Sequence, residues 1–214
     1  MNQKIKNISS QKFGGYIIIF SMIIFGSGIA AMPLTSMLDN SIRIIPMFGI
    51  LIGAPFIALG LHFYHNFINK SCNENPLITS GVVLISWGFL GIFIHWCLEA
   101  SVLTGKENII HVSSIGYEEI VSEISTPISL FSGAIVWAGF TLVTITSALI
   151  LNMSRYEYWF SILSGIYSIL ATIIHYIQVF FSINQMLFSG LLSISLISLI
   201  IWGILMGSKM IKES

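Results

Sequence analysis

The chain has 214 residues, of which 55% are hydrophobic and only 8% are charged. Soluble domains carry about 25% charged residues, so this composition excludes an ordinary water-soluble fold. Nine basic and nine acidic residues cancel to a net charge of zero, so we expect no nucleic-acid partner and no strongly charged protein partner. The sequence predicts a multi-span membrane protein whose main partner is the lipid bilayer.

Six stretches of the chain are long and apolar enough to cross a membrane, which takes about 20 residues of helix. They are residues 13–38, 44–68, 77–100, 127–151, 158–181 and 186–207. The runs are continuously apolar rather than alternating, which excludes the strand pattern of an outer-membrane barrel. The predicted fold class is all-α: one integral membrane domain over residues 1–214, built as a bundle of six transmembrane helices.

The positions of Lys and Arg predict the orientation, because cytoplasmic loops carry an excess of both. If the N-terminus is cytoplasmic, the inner side holds Lys4, Lys6, Lys12, Lys70, Arg155, Lys209 and Lys212. The outer side then holds only Arg43 and Lys106. We therefore expect an N-in/C-in protein with both termini cytoplasmic, in a plasma (cell inner) membrane.

The connection at residues 101–126 is long and acidic, whereas the other connections are short. Its glutamates are Glu107, Glu118, Glu119 and Glu123. Its apolar residues recur at helical spacing at Tyr117, Ile120, Val121 and Ile124. This pattern predicts a short amphipathic helix on the outer interface, stopped by Pro127. Such a segment serves either as a solvated cap or as a cation-attracting mouth.

Short motifs from the first half of the chain recur in the second half in the same order. F-S-x-x-I begins at Phe20 and Phe131, I-L-x-G at Ile50 and Ile162, and S-G at Ser80 and Ser189. A repeat of three helices would invert the second copy in the membrane, as in many transporters. A 3+3 inverted repeat is one interpretation, and chance matches in a chain rich in Ile, Ser and Gly are the other.

Three ionisable residues within the predicted spans form a candidate metal or ion site: His95, Glu99 and His175. His95 and Glu99 are four residues apart and so share a helix face. His95 and His175 lie about 7.5 and 9 Å from the outer ends of their spans, at 1.5 Å per residue. Ionisable groups at such depth are costly and are usually paired or functional.

Three chemistries fit this set, and the sequence leaves all of them open. Two imidazoles would ligate the iron of a haem b. Two histidines and a carboxylate would bind a divalent metal, with His111 as a further ligand. The same groups would relay protons or bind a cation in a transporter. A purely structural interpretation pairs His95 with Glu99 and satisfies a backbone carbonyl with His175.

The leading functional interpretation is a small transporter- or channel-like protein with a polar site near the outer face. The alternative is a non-transporting subunit of a larger membrane complex, with or without haem or metal, packed against other membrane subunits or as a homo-oligomer. A metal-dependent membrane hydrolase is the third. The chain contains no Walker loop, dinucleotide fingerprint or His-Glu-x-x-His motif that would favour a soluble-type enzyme site.

Overall fold

The computed structural model describes residues 9–35, 40–72, 74–105, 114–181 and 185–214. Over these residues the backbone forms six helices and no strand: α1 (Ser10–Thr35), α2 (Asn40–Cys72), α3 (Pro76–Gly105), α4 (Ser114–Ile150), α5 (Arg155–Phe180) and α6 (Gln185–Lys212). Each helix contains a segment long and apolar enough to span a membrane. The prediction of an all-helical protein with six candidate spans is confirmed.

Side chains with short polar groups set the starts of two helices. Ser154 precedes α5, and its hydroxyl accepts from the Glu157 amide while the Glu157 carboxylate accepts from the Ser154 amide at 2.7 Å. This capping box satisfies two amides that would otherwise lack partners. Asn75 precedes α3, and its side-chain oxygen accepts from the Leu77 amide at 3.0 Å. Both caps lie in short connections, so the chain reverses sharply there.

Proline does not end the helices where the sequence suggested it would. α4 runs from Ser114 to Ile150 without a break at Pro127. The predicted stop at Pro127 is therefore wrong, because the predicted surface helix and the fourth span form one continuous helix. α2 likewise continues through Pro46 and Pro55. Each proline removes one backbone hydrogen bond, a loss that membrane helices tolerate when neighbouring helices support the freed groups.

The six helices form a closed ring in chain order. Each helix packs against its neighbours in sequence, and α6 returns to pack against α1. The Gln11 side-chain amide donates to the Met210 carbonyl at 3.3 Å. The start of α1 and the end of α6 therefore lie at the same end of the bundle, with the α2–α3 and α4–α5 connections. We call this the terminal end, and the other the opposite end.

Glycine permits two of the helix pairs to approach backbone to backbone. A Cβ on Gly28 of α1 would lie 2.8 Å from the Pro46 carbonyl oxygen of α2. A Cβ on Gly139 of α4 would lie 2.7 Å from the Gly81 carbonyl oxygen of α3. Small residues at membrane helix interfaces allow this close packing. The pairs α1–α2 and α3–α4 are consequently dense units within the ring.

Aromatic side chains from five helices fill the centre of the ring. Their ring centroids follow one another from Phe25 to Phe89 (5.5 Å), Phe140 (6.3 Å), Trp202 (6.4 Å) and Tyr64 (5.5 Å). All five are buried and meet edge to face, an arrangement favoured by the ring quadrupoles. The described bundle is therefore packed along this line. α5 is the one helix that contributes no aromatic residue to it.

Candidate functional site

The predicted site residues His95 and Glu99 both lie on α3, and both form a hydrogen bond with the same residue of α4, Ser125. The Ser125 hydroxyl of α4 donates to a Glu99 carboxylate oxygen at 2.6 Å. The His95 Nδ1 atom lies 3.0 Å from the Ser125 carbonyl oxygen. Ser125 is fully buried, and the two predicted residues are half-buried. Sequence reasoning missed Ser125 because it assigned this residue to a surface helix ending at Pro127.

The hydrogen bonds of this cluster show what chemistry it can perform. Because a carbonyl oxygen only accepts, His95 Nδ1 carries a proton, and Nε2 of the neutral ring is left as an acceptor. The Ser125 hydroxyl uses its one proton in the bond to Glu99. The imidazole faces the backbone of Ser125 and not its hydroxyl, so the cluster lacks the geometry of a nucleophilic triad. It suits a carboxylate and an imidazole that hold a proton or a cation.

His175 of α5 is buried and packs tightly against α4. Its Nδ1 atom lies 2.8 Å from the Ala171 carbonyl oxygen, as the structural interpretation expected. Its ring lies 5.2 Å from that of Phe188 on α6. A Cβ on Gly133 of α4 would come within 2.5 Å of His175 Nε2. Only glycine leaves room for the imidazole at that position.

The three predicted site residues contact the same helix at different places. His95 meets α4 at Ser125, and His175 meets it at Gly133, two turns further along. Among the residues that the structure describes, no three His, Cys, Asp or Glu side chains are grouped to hold a metal ion. His111, the further ligand considered, lies outside those residues.

A haem does not fit the arrangement of the two imidazoles. Nδ1 of each ring already faces a backbone carbonyl, so each ring would have to ligate iron through Nε2. His175 Nε2 lies against Gly133 of α4, two turns along that helix from the contact of His95 with Ser125. We therefore assign no cofactor to His95, Glu99 and His175.

The inward face of α5 is the polar feature that sequence reasoning overlooked. The buried residues of α5 are Ser161, Ser164, Gly165, Ser168, Ala171 and His175. Its large apolar residues point outward, among them Leu163, Ile166, Ile169, Leu170 and Ile173. The spacing of three and four residues between the serines is visible in the sequence and marks one helix face. Sequence reasoning considered only the ionisable residues of the spans and therefore missed these serine hydroxyls.

Hydroxyl groups join α5 to α6 across this face. The Ser164 hydroxyl donates to the Ser198 carbonyl at 2.9 Å. The Ser195 hydroxyl of α6 donates to the Tyr167 carbonyl at 3.0 Å. The Ser168 hydroxyl is fully buried and has no hydrogen-bond partner among the described residues. The α5–α6 interface therefore contains two hydroxyl–carbonyl bonds between the helices, beside the unsatisfied Ser168 hydroxyl.

A lysine closes the terminal end of the same interface. The Lys209 amine of α6 donates to the Asn152 carbonyl at 2.7 Å. It also forms ion pairs with Glu213 at 2.8 Å and Glu157 at 3.9 Å. Only 9% of Lys209 is exposed. In the sequence analysis Lys209 served only to indicate the inner side. In the structure it also connects α6 to the α4–α5 connection, through Asn152 and Glu157, and we call this contact the clasp.

The chain was compared with protein-family models, with characterised proteins and with solved structures, and none of them matches it. The six apolar helices are compatible with a polytopic membrane protein. Any more specific function rests on the geometry of the polar groups within the bundle.

Proposed function

We propose that this protein is a small transporter of protons or monovalent cations. The observation that supports it best is the inward polar face of α5, defined by the buried residues Ser161, Ser164, Gly165, Ser168, Ala171 and His175. An ionisable residue buried among membrane helices, as His175 is here, usually marks an ion or proton pathway. α5 turns these polar residues inward and its leucines and isoleucines outward.

The polar face has the length that a transport path requires. From His175 to Ser161 the helix rises about 21 Å at 1.5 Å per residue, against a hydrocarbon core of about 30 Å. The opposite end carries the Glu99 carboxylate and the exposed carboxylates of Glu119 and Glu123. The sequence places Asp39, Glu107 and Glu118 at that end as well, against the two cations Arg43 and Lys106. A positive ion is therefore the charge type that this entrance favours.

The packed aromatic centre favours a transporter over an open channel. The line of contacts from Phe25 to Tyr64 leaves the middle of the ring filled. Passage along α5 thus needs a change in the packing of α5 and α6, which are joined mainly by hydroxyl–carbonyl bonds. Alternating access by rocking of one bundle against another is the mechanism that such folds use.

The orientation that we propose places the terminal end in the cytoplasm and both termini inside a plasma (cell inner) membrane. The cations among the described residues of that end are Lys12, Lys70, Arg155, Lys209 and Lys212. This distribution follows the positive-inside rule. The polar cluster of His95, Ser125 and Glu99 then faces the outside.

We keep the 3+3 inverted repeat as part of the proposal, with partial support. Gly53 and Gly165 occupy equivalent motif positions, and each packs against the preceding helix, α1 and α4 respectively. Gly28 and Gly139 are also equivalent, but Gly28 packs on the following helix and Gly139 on the preceding one. The two halves would therefore have the same order of helices, but only some of their helix contacts would be equivalent.

Proton flux into liposomes that contain the purified protein tests the proposal. A potassium gradient with valinomycin drives protons inward, and enclosed pyranine reports the pH. We expect the substitution His175→Ala to reduce the flux to about a tenth or less, because it removes the ionisable group from the path. His62→Ala is the matched control, since His62 is an exposed histidine near the terminal end of α2.

The absence of flux for protons, Li⁺, Na⁺ and K⁺ above protein-free liposomes would overturn the proposal. So would a His175→Ala variant that transports as fast as wild type. Copurification with stoichiometric membrane subunits, or as a stable homo-oligomer, together with no flux would favour the non-transporting alternative.

A further inference from the structure

The Ser168 hydroxyl lies halfway along the α5 span without a hydrogen-bond partner among the described residues. Ser168 lies at the midpoint of α5, between Arg155 and Phe180, and its exposed fraction is zero. No hydrogen-bond partner for its Oγ is present among the described residues. In hydrocarbon no bulk water can take that place, so an unsatisfied hydroxyl is costly and requires an explanation.

Hydroxyl groups from three helices surround this level of α5. Ser164 lies one turn along α5 from Ser168 and bonds to α6 at Ser198. Ser195 of α6 bonds to the carbonyl of Tyr167, which directly precedes Ser168. On the α4 side, the Thr144 hydroxyl oxygen would lie 3.0 Å from a Cβ on Gly165. The unsatisfied serine is therefore flanked by oxygens.

Each of these neighbouring hydroxyl groups already donates its single proton in a hydrogen bond. The protons go to backbone carbonyls: Thr144 to Phe140 (2.7 Å), Ser164 to Ser198 (2.9 Å), Ser198 to Ser195 (2.9 Å), and that of Ser195 is shared between Leu191 (2.9 Å) and Tyr167 (3.0 Å). A hydroxyl has one donor and two lone pairs, so each oxygen can still accept but has no proton to offer. Apart from the Ser168 hydroxyl, whose own proton can turn towards a neighbouring oxygen, this lining consists of acceptors, which is complementary to a positive charge.

The type of oxygen limits the type of cation. The inward face of α5 carries no carboxylate. Proteins bind Ca²⁺ and Mg²⁺ mainly through carboxylates, whereas neutral oxygens suffice for monovalent ions. His175 is the nearest ionisable group on the inward face of α5, and it lies two turns away, about 10.5 Å along the axis. The site is therefore neutral and rich in oxygen.

We propose that Ser168, with Thr144, Ser164, Ser195 and Ser198, forms a binding site for a dehydrated monovalent metal cation at the bilayer midplane. Transporter sites commonly lie at this depth. The inference rests on the proposed transport function and specifies the ion class for the same path. In this site the Ser168 oxygen is a ligand of the cation, which resolves its lack of a partner within the chain.

Thermal unfolding of the full-length protein in detergent tests the site. Melting is followed in chlorides of Li⁺, Na⁺, K⁺ or Rb⁺ and of N-methyl-D-glucamine, at equal ionic strength. A cation that binds only the folded protein raises the melting temperature in a saturable way. We expect at least one alkali cation to raise it in wild type and in Ser193→Ala, but not in Ser168→Ala.

Ser193 is a matched control, because it is an exposed serine of α6 whose hydroxyl bonds to its own helix. If Ser168→Ala does not fold, Ser168→Cys replaces the oxygen by a poor ligand for alkali ions at similar volume. The site is rejected if no alkali cation differs from N-methyl-D-glucamine in wild type, as expected for a bound water. It is also rejected if the Ser168 variant keeps the cation-dependent shift.

The two proposals fail in different ways. A cation-dependent shift that needs Ser168, together with no flux in liposomes, would retain the site and reject transport. Flux that needs His175, with no cation-dependent shift, would retain transport and reject the site.

Discussion

The two halves of the bundle have different interiors. The buried interior of α1–α3 consists mostly of large apolar side chains such as Ile18, Phe25, Ile57 and Phe89. Among the described residues, its fully buried hydroxyl groups are those of Ser21 and Tyr64. α4–α6 bury Ser125, Ser132, Thr144, Thr146, Ser147, Ser161, Ser164, Ser168, His175, Ser195, Ser198 and Lys209. Both halves cross the same apolar solvent, so lipid exposure does not explain the contrast.

Under the proposed transport function, the apolar half would be the scaffold and the polar half would carry the ion path. Apolar interiors stabilise through packing density alone and tolerate no movement without loss of contacts. Hydroxyl–carbonyl bonds between membrane helices are individually weak, about 0.6 kcal/mol on average, and can be exchanged for other partners. We therefore expect mutations in the first half to affect stability, and mutations in the second half to affect transport.

The largest loss of stability is expected in the apolar half. Phe89→Ala removes the ring that links Phe25 to Phe140 and should lower the free energy of unfolding by about 3–5 kcal/mol. Unfolding by increasing denaturing detergent measures this. Phe93→Ala is the control, because Phe93 lies one turn further along α3 with its ring exposed to lipid. Equal losses in the two variants would show that the Phe89 ring does not hold the aromatic centre together.

An intermediate loss is expected at the clasp of the polar half. Lys209→Met leaves the Asn152 carbonyl and the Glu157 carboxylate without their cation and should cost about 1–3 kcal/mol. Thermal unfolding and proteolysis at the α4–α5 connection report the effect. Lys212→Met is the control, since Lys212 is exposed on the same helix. Equal melting temperatures of the two variants would show that Lys209 does not hold α6 to the α4–α5 connection.

The smallest loss of stability should accompany a large loss of function. Ser164→Ala removes one hydroxyl bond to the Ser198 carbonyl and should cost only about 0.6 kcal/mol. Because the same hydroxyl lines the proposed path, we expect flux in liposomes to fall severalfold. Ser193→Ala should change neither quantity. An unaltered flux in Ser164→Ala would limit the role of this hydroxyl to helix packing.

The positions of the six helices could be predicted from the sequence, but the contacts between them could not. Continuous apolar runs predicted six helices because length and hydropathy are local properties. The continuation of α4 through Pro127 was not predictable locally, since it depends on support from neighbouring helices. That continuation carries Ser125 to Glu99, so the same error concealed the third member of the cluster.

The pairing of helices could not be derived from residue types either. All six spans are apolar on their lipid-facing sides, so hydropathy does not indicate which faces meet. The return of α6 to α1 depends on the approach of Gly207 to Gly15, where a Cβ would lie 2.7 Å from a backbone oxygen. The serine spacing on α5 was visible in the sequence, and a search for hydroxyls at helical period would have found it.

Accessibility of single cysteines along α5 tests most directly whether its inward face is the transport path. In a variant without the two native cysteines, Ser164→Cys and Ser168→Cys are compared with Leu163→Cys and Ile166→Cys, which point to lipid. A charged methanethiosulfonate reagent that does not cross membranes is added during transport. We predict that the inward cysteines react with the reagent, while the outward cysteines stay unmodified. Inward cysteines that do not react, or outward ones that react as fast, would contradict a path along α5.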